Sequence, residues 1–449
     1  MKEFNFEKLP IVEIANEIII DAVNKGASDI HFDPSKEALK IRFRIDGILS
    51  DYSIVPSKYK RNMISRIKMI AGMNIMETRL PQDGAIKSKI GDRLLDLRVS
   101  TLPTNNAEKI VIRILDYSMS LAGLDNLGFS KDAMEKINKL IRIPNGIILV
   151  TGATGTGKST TLYSILQKLN TEEVNIITVE DPVEMDIAGI NQVQTQTEIG
   201  LTFATILRSI LRQDPNIIMI GEIRDDETAR IAVRASITGH LVLSTLHTNN
   251  SLNTIERLTD MDVERYLLGS SLEGIISQRL ARKLCPNCMI KRQTTEYEKQ
   301  VFKTVIGKDI NEMYVANKEG CPRCNHGYRG RLAILEVLIM NEKIKDAITN
   351  NAPKHVLRDL VYTGEVVTLL QDGLNKVVEG ETSFEEILKI VDLENDMTAY
   401  KDDNLVANLK MAQKAHSIKE APQQPTPQVT QQVQQINNQI PNNVETVEF

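Results

Sequence analysis

The run Gly152-Ala153-Thr154-Gly155-Thr156-Gly157-Lys158-Ser159-Thr160 follows the apolar stretch GIILVT and opens the helical stretch STTLYSILQKL. It fits G-x-x-x-x-G-K-[ST] in the strand-to-helix setting that gives the pattern its chemistry. Glycines let the backbone curl until several N–H groups converge on phosphate, and the helix N-terminus adds positive potential. Lys158 is placed to neutralise the β- and γ-phosphates of a nucleotide, and Ser159 to give an oxygen to magnesium.

Such a site needs an acid at the end of a nearby strand. Ile217 to Ile220 followed by Gly221-Glu222 supplies one, with Gly221 where an Asp is usual. Glu222 is then left to polarise the attacking water, with Glu180, Asp181 or Glu184 from VEDPVE completing the metal shell; the alternative for those three is a turn built around Pro182. Arg208 and Arg212 are four apart, so they share a helix face whose other side carries Phe203, Leu207, Ile210 and Leu211. A guanidinium pair suits phosphate, but a solvated basic face reads the same way. His240 and His247 bracket the strand LVLSTL and either could be a structural histidine.

Cys285-Pro-Asn-Cys288 and Cys321-Pro-Arg-Cys324 use all four cysteines of the chain. Two such knuckles complete the tetrahedral sulfur shell that Zn²⁺ prefers, and a closed shell leaves no position for a reactive water, so the zinc is structural. The gap between the pairs exceeds the usual 15 to 20 residues, which makes an insert clipped onto a larger domain. A redox pair needs only one C-x-x-C; an iron–sulfur cluster is the other use of four thiolates.

The elements that position these residues divide in two. Ile11 to Val23 has helical apolar spacing with Gly26 beyond it; Leu39, Ile41, Phe43 and Ile45 alternate with charges up to Asp46-Gly47, which predicts a hairpin. A Met- and Ile-rich helix over Lys60 to Ile75 and short strands around 86–90, 94–100 and 109–115 complete a small α+β domain, residues 1–115. DYSMSLAGLDNLGFS, within 116–130, loses periodicity as a connector would. From Ile147, β-rich apolar runs alternate with helical stretches, which predicts a mostly parallel sheet covered by helices over 131–397, with the cysteine insert at 285–324. Residues 398–449 are increasingly rich in Gln, Asn and Pro and are expected to be disordered.

With 54 Lys and Arg against 59 Asp and Glu, the net charge of -5 gives no general field for nucleic acid. Apolar runs stay far below spanning length, and MKEFNFEKLP has no secretory-signal pattern, so a soluble cytoplasmic chain is expected. No LSGGQ-like signature points to an ABC-type subunit.

Taken together, the motifs resemble the secretion ATPase superfamily, specifically the type II secretion and type IV pilus assembly ATPases. From about Ile11 to Asp392 the order is GASDIHFDP with RFRIDG, RLPQDG, RVSTLPT, the P-loop, ITVEDPVE, LRQDPNIIMIGEIRD, TGHLVLSTLHTN and the double CPxC. Gly221-Glu222 is itself that family's pattern. The resemblance implies an α/β fold in which a PAS-like α+β domain is joined by a flexible linker to a RecA-like P-loop ATPase domain with a zinc-binding insert. It implies a homohexamer that binds ATP and Mg²⁺ between the domains. Arg98, Arg113, Arg208 and Arg212 would reach phosphates, and His240 and His247 would sense phosphate state. Hydrolysis would drive an inner-membrane platform protein that adds pilin-like subunits to a fibre, at the inner face of the cytoplasmic membrane.

Two departures stand out: the chain starts almost directly at the small domain, without the extra N-terminal domain of many relatives, and the Gln-rich tail has no counterpart. Retraction ATPases share the core motifs but typically lack the cysteine pairs and carry an AIRN-type segment absent here, which favours assembly. Type II secretion and competence pili share the same motor, and a nucleic-acid translocase is the more remote alternative.

Overall fold

The structure is a computed structural model that describes residues 1–90, 93–116, 123–362 and 365–391. All of these fall in one compact unit, Met1–Lys401. The expected disorder of 398–449 and residues 117–122 of the expected connector lie outside the described residues.

The N-terminal part is a six-stranded antiparallel sheet in the order β3-β2-β1-β6-β5-β4, with β1 Ala27–Pro34, β2 Ala38–Ile45, β3 Ile48–Pro56, β4 Gln82–Ile90, β5 Arg93–Thr104 and β6 Ala107–Asp116. Alternation decides its faces: Ile30 and Phe32 of β1, Ile41 and Phe43 of β2, Leu97 of β5 and Ile112 of β6 meet Ile14, Ile18, Met63 and Ile67 of the helices Ile11–Asn24 and Ser57–Ile70. The opposite face is charged, with Asp29 paired to Arg113 and Asp33 to Arg42. The expected hairpin is β2–β3, whose turn residues Asp46 (φ 49°) and Gly47 (φ 83°) both take the left-handed backbone of a two-residue hairpin loop. The helix expected over 60–75 instead ends at Ile70, where Gly72 adopts φ 73° and turns the chain. The segment beginning at Ala27, noticed in the sequence only as a motif, is the central strand β1.

A second sheet runs β15-β12-β7-β11-β10-β8-β9. Its strands are β7 Gly146–Thr151, β8 Ile176–Glu180, β9 Asn191–Gln194, β10 Ile217–Ile220, β11 Leu241–Leu246, β12 Leu272–Leu284 and β15 Tyr328–Ile339. Every pairing is parallel except β12 with β15. β7, β8, β10 and β11 are buried along their whole lengths, because helices cover both faces. One face packs Leu149, Val179, Ile218 and Val242 against the helices Phe203–Ile210, Asp226–Ile237 and Ser251–Asp260; the other packs Ile148, Val150 and Leu243 against Lys131–Leu140 and Lys158–Leu169. A two-stranded hairpin, β13 Ile290–Gln293 with β14 Glu312–Val315, flanks the helix Glu296–Ile306 inside the cysteine insert.

Parallel pairing brings the carboxyl ends of β7, β8, β10 and β11 to one edge: Leu246 lies opposite Thr151, Ser244 opposite Ile220, and Ile220 opposite Val179. That edge carries the functional candidates.

Candidate active site

The glycine-rich run leaves the end of β7 and enters the helix Lys158–Leu169. Gly152 has φ 151°, and a Cβ there would lie 2.5 Å from the Gln278 carbonyl oxygen; Gly157 caps the helix at φ 85°. Ala153, Thr154 and Gly155 are exposed, whereas Thr156 is buried and its hydroxyl donates to the Ala153 carbonyl at 2.9 Å. The Lys158 ammonium donates to the carbonyls of Gly152 (2.9 Å) and Ala153 (3.0 Å). Burial holds its pKa below the ordinary lysine value, while the carboxylates of Glu222 and Glu184 pull the other way. Ser159 and Thr160, half-buried, begin the helix.

The acids from two strand ends do different things. Glu180 closes β8 and is 3% exposed; it accepts from the Thr178 hydroxyl (2.6 Å), the Gln192 amide (3.0 Å) and the Tyr163 hydroxyl. Asp181 faces the Arg224 guanidinium at 3.5 Å. Glu184 accepts a hydrogen bond from Ser159; burial raises its pKa, with Arg98 and Arg113 opposing and Glu180 adding to the rise. Glu222 is ion-paired with Arg224 and lies 3.4 Å from His247 Nε2. Burial would push its carboxyl up, but the Arg224 and His247 contacts outweigh it and leave the pKa below the ordinary value. One edge of the sheet therefore gathers a lysine, a serine, two carboxylates of unlike acidity and a histidine. Arg98, on β5 of the first sheet, reaches across to donate to the Val183 carbonyl at 3.4 Å; Arg113 beside it pairs with Asp29.

The four cysteine sulfurs lie within 4.8 Å of one another, with Cys285 to Cys321 at 3.8 Å and Cys288 to Cys324 at 3.6 Å. Four thiolates at about 2.3 Å from a tetrahedral Zn²⁺ stand roughly 3.8 Å apart, so this donor set fits zinc, and all four are free thiols rather than disulfides. The knuckles grow from a strand pair: Leu284 of β12 lies opposite Tyr328 of β15, and the Cys285 amide donates to the Gly327 carbonyl at 2.8 Å. Burial notwithstanding, backbone donors from Cys321 and Gly327 pull Cys324 down to about 7, whereas burial and the neighbouring thiols push Cys288 up to about 12; a bound metal requires all four as thiolates.

Residues 5–389 match the family described as Type II/IV secretion system protein. The chain belongs to that family. Among its relatives, the type II secretion system ATPase E of Vibrio cholerae is 44% identical over 382 residues, 85% of this chain and 75% of that protein. The type IV pilus assembly ATPase PilB of Myxococcus xanthus is 45% identical over 381 residues, 84% and 67% of the two chains. The crystal structure of the pilus retraction motor PilT with bound ADP superposes with a TM-score of 0.56 at 26% identity, covering 88% of this chain and 98% of that one. The α/β fold with its parallel sheet is that of the secretion ATPases, and the protein is an ATPase.

Not every candidate residue of this secretion ATPase joins the edge cluster. His240 precedes β11 and His247 follows it, so seven steps of about 3.3 Å put roughly 23 Å between them. His240 sits at the far edge with Nδ1 2.8 Å from the Ala235 carbonyl. Arg208 pairs with Glu227, and Arg212 lies beyond the helix, which ends at Ile210, where it donates to the Arg208 carbonyl at 2.8 Å and to the Ser209 hydroxyl at 3.2 Å. A phosphate role for either arginine needs a second subunit or a rearranged chain. Conversely, three residues at the edge went unread in the sequence. Gln278 of β12, 3% exposed, donates to the Thr156 carbonyl and accepts from the Thr161 hydroxyl, both at 2.8 Å. Tyr163 bridges Glu180 and the Glu184 amide, and Arg224 bridges Glu222 and Asp181. Only Arg224 carried a signal, as a cation two residues from the candidate base.

Proposed function

We propose that this chain is a hexameric motor ATPase that drives assembly of a type IV pilus through an inner-membrane platform protein. The observation that carries the reading is the meeting of Lys158, Ser159, Glu184 and Glu222 at one sheet edge. In this reading ATP phosphates lie on the backbone N–H groups of 152–160, and Lys158 leaves its carbonyl partners to neutralise the β- and γ-phosphates. Ser159 and Glu184 offer the hard oxygen donors that suit Mg²⁺, which when bound neutralises phosphate charge. Glu222, kept ionised by Arg224 and His247, polarises the attacking water. Asp181 acts through Arg224, and Glu180 by holding the acidic loop in shape.

Arg98 and Arg113 approach from the first sheet, so nucleotide charge is felt by residues 1–115 and by 131–397, divided at 116–130. A change in that contact on hydrolysis is the movement a platform protein could use. No helix among the described residues is long and apolar enough to cross a membrane. A type II secretion motor is the second reading, supported by the 44% identity to the Vibrio cholerae ATPase, level with the 45% to the Myxococcus xanthus one.

The biochemical test is ATP turnover by the purified chain: Lys158→Ala and Glu222→Gln should each abolish it, and normal activity in either sinks the site assignment. A chromosomal Lys158→Ala strain scored for surface fibres, motility, exported enzymes and transformation separates the two readings. Lost fibres with normal export supports pilus assembly; lost export with normal fibres supports secretion.

A further inference from the structure

The helix that begins with Lys158 and Ser159 carries Tyr163 one turn beyond Ser159, on the same face. Both hydroxyls reach the acidic segment after β8. Ser159 hydrogen-bonds the Glu184 side chain, while Tyr163, 3% exposed, donates to the Glu180 carboxylate and accepts the Glu184 amide at 3.2 Å. The Glu180 carboxylate is held from its other side by Thr178 and Gln192, so Tyr163 rests against a fixed anchor. Removing its hydroxyl would take one bond from Glu180 Oε2 but leave Oε1 held by Thr178 and Gln192, so the anchor stays and the Glu184 end is released.

We infer that Tyr163 is a positioning residue that fixes Glu184 opposite Ser159 and thereby sets the affinity of the nucleotide-bound site for Mg²⁺. The inference rests on the proposed assignment of Ser159 and Glu184 to the magnesium side of the site. A tyrosine that merely fills the core would do so equally well as phenylalanine, because the ring and its packing against the P-loop helix are unchanged. The hydroxyl acts on one loop amide two bonds from the Glu184 Cβ, so its loss should be felt in metal binding and not in the phosphate cradle, which Tyr163 does not touch.

The test is equilibrium binding of a fluorescent N-methylanthraniloyl ATP to the full chain, in EDTA and across a Mg²⁺ series. Tyr163→Phe should bind the analogue in EDTA as wild type does and need about tenfold more Mg²⁺ for half-maximal enhancement, the loss of one hydrogen bond to a half-buried amide. Glu184→Gln should raise the Mg²⁺ midpoint at least as far. Thr178→Val, which removes a comparable bond to Glu180 without touching Glu184, should leave it unchanged. A normal midpoint in Tyr163→Phe with a raised one in Glu184→Gln overturns the role of Tyr163 alone. Normal midpoints in both overturn the assignment of Glu184 as well. Weakened binding by Tyr163→Phe already in EDTA, or an equal rise in Thr178→Val, overturns the inference by showing general damage to the loop.

Discussion

Gln278→Met isolates what a strand 120 residues downstream does for the P-loop. Methionine matches glutamine in length and flexibility, so the buried volume is nearly kept while both polar atoms go. The Thr156 carbonyl loses a donor at 2.8 Å and the Thr161 hydroxyl an acceptor at 2.8 Å. A buried group left without its partner costs about 1–3 kcal/mol. Thr161 can recover part of this, because its hydroxyl can turn to the Gly157 carbonyl one helical turn back, which its own amide already uses at 3.1 Å. The Thr156 carbonyl has no such recourse. The side chain lies directly against the loop, since a Cβ added at Gly157 would fall 2.9 Å from the Gln278 amide nitrogen. The sum is about 3 kcal/mol. With a urea slope of about 3 kcal/mol per molar for a domain of this size, the midpoint should fall by roughly 1 M. Circular dichroism is the suitable probe, as the chain has no tryptophan. Because Thr156 sets the orientation of the N–H groups that follow it, ADP affinity should fall as well. A Gln278→Met midpoint within roughly 0.2 M of wild type, with normal ADP binding, would refute the clamp.

Three further perturbations have definite signs. Arg224→Met removes the main contact holding the Glu222 carboxyl below its ordinary value, so the acid limb of the ATP turnover profile should move to higher pH; an unmoved limb means Glu222 is not the group reported. Glu336 is fully buried, with Oε1 accepting from the Ser251 amide at 2.9 Å and no hydrogen-bond partner for Oε2 among the described residues, and burial raises its pKa. Its stabilising contribution is therefore complete below about pH 4.3 and is lost as pH rises through the raised folded value, so Glu336→Gln should gain on wild type in urea stability across that window; a gap independent of pH refutes it. Cys288→Ser should drop bound zinc from about one per chain to none by atomic absorption, and proteolysis should then cut first within 285–324; full zinc content in the variant would reject the four-sulfur site.

What could be read in the sequence is what one contiguous stretch encodes. The P-loop needs glycine, lysine and serine at fixed spacing, and each C-P-x-C knuckle is a single turn, so both were legible, as was the parallel sheet from its uninterrupted apolar strands. Gln278 was not, because it is a polar residue inside a strand that otherwise reads as core, and its partners lie on the far side of the chain. Tyr163 was hidden in the apolar face of a helix where an aromatic ring ordinarily means packing. His240 and His247 show the limit of a contiguous word of sequence. A motif that spans both ends of a strand places its two histidines in one short word of sequence, but the strand between them carries one to each edge of the sheet. The spacing of Arg208 and Arg212 carries less than it suggests, because residues four apart share a face only while the helix continues, and it stops at Ile210.

The two features most legible in the sequence, the P-loop and the cysteine knuckles, turn out to be joined by one strand that announced neither. β12 meets the P-loop on both of its faces: Ser277 bonds the Thr151 hydroxyl at 3.0 Å, where β7 gives way to the loop, and Gln278 holds Thr156 and Thr161. Seven residues past Ser277 the same strand reaches Leu284, opposite Tyr328, and runs into Cys285. At 3.3 Å per residue the knuckle is about 23 Å from the clamp. A metal at that distance cannot act on phosphate by its charge through solvent, since the separation exceeds two Debye lengths at physiological salt. It can act by fixing the outer ends of β12 and β15, whose pairing from Gly274 to Leu284 holds Ser277 and Gln278 in register with the loop. The knuckle and the clamp should therefore separate by experiment: loss of the sulfurs frays the strand pair from its outer end and leaves nucleotide affinity nearly intact, whereas loss of Gln278 strikes the loop directly.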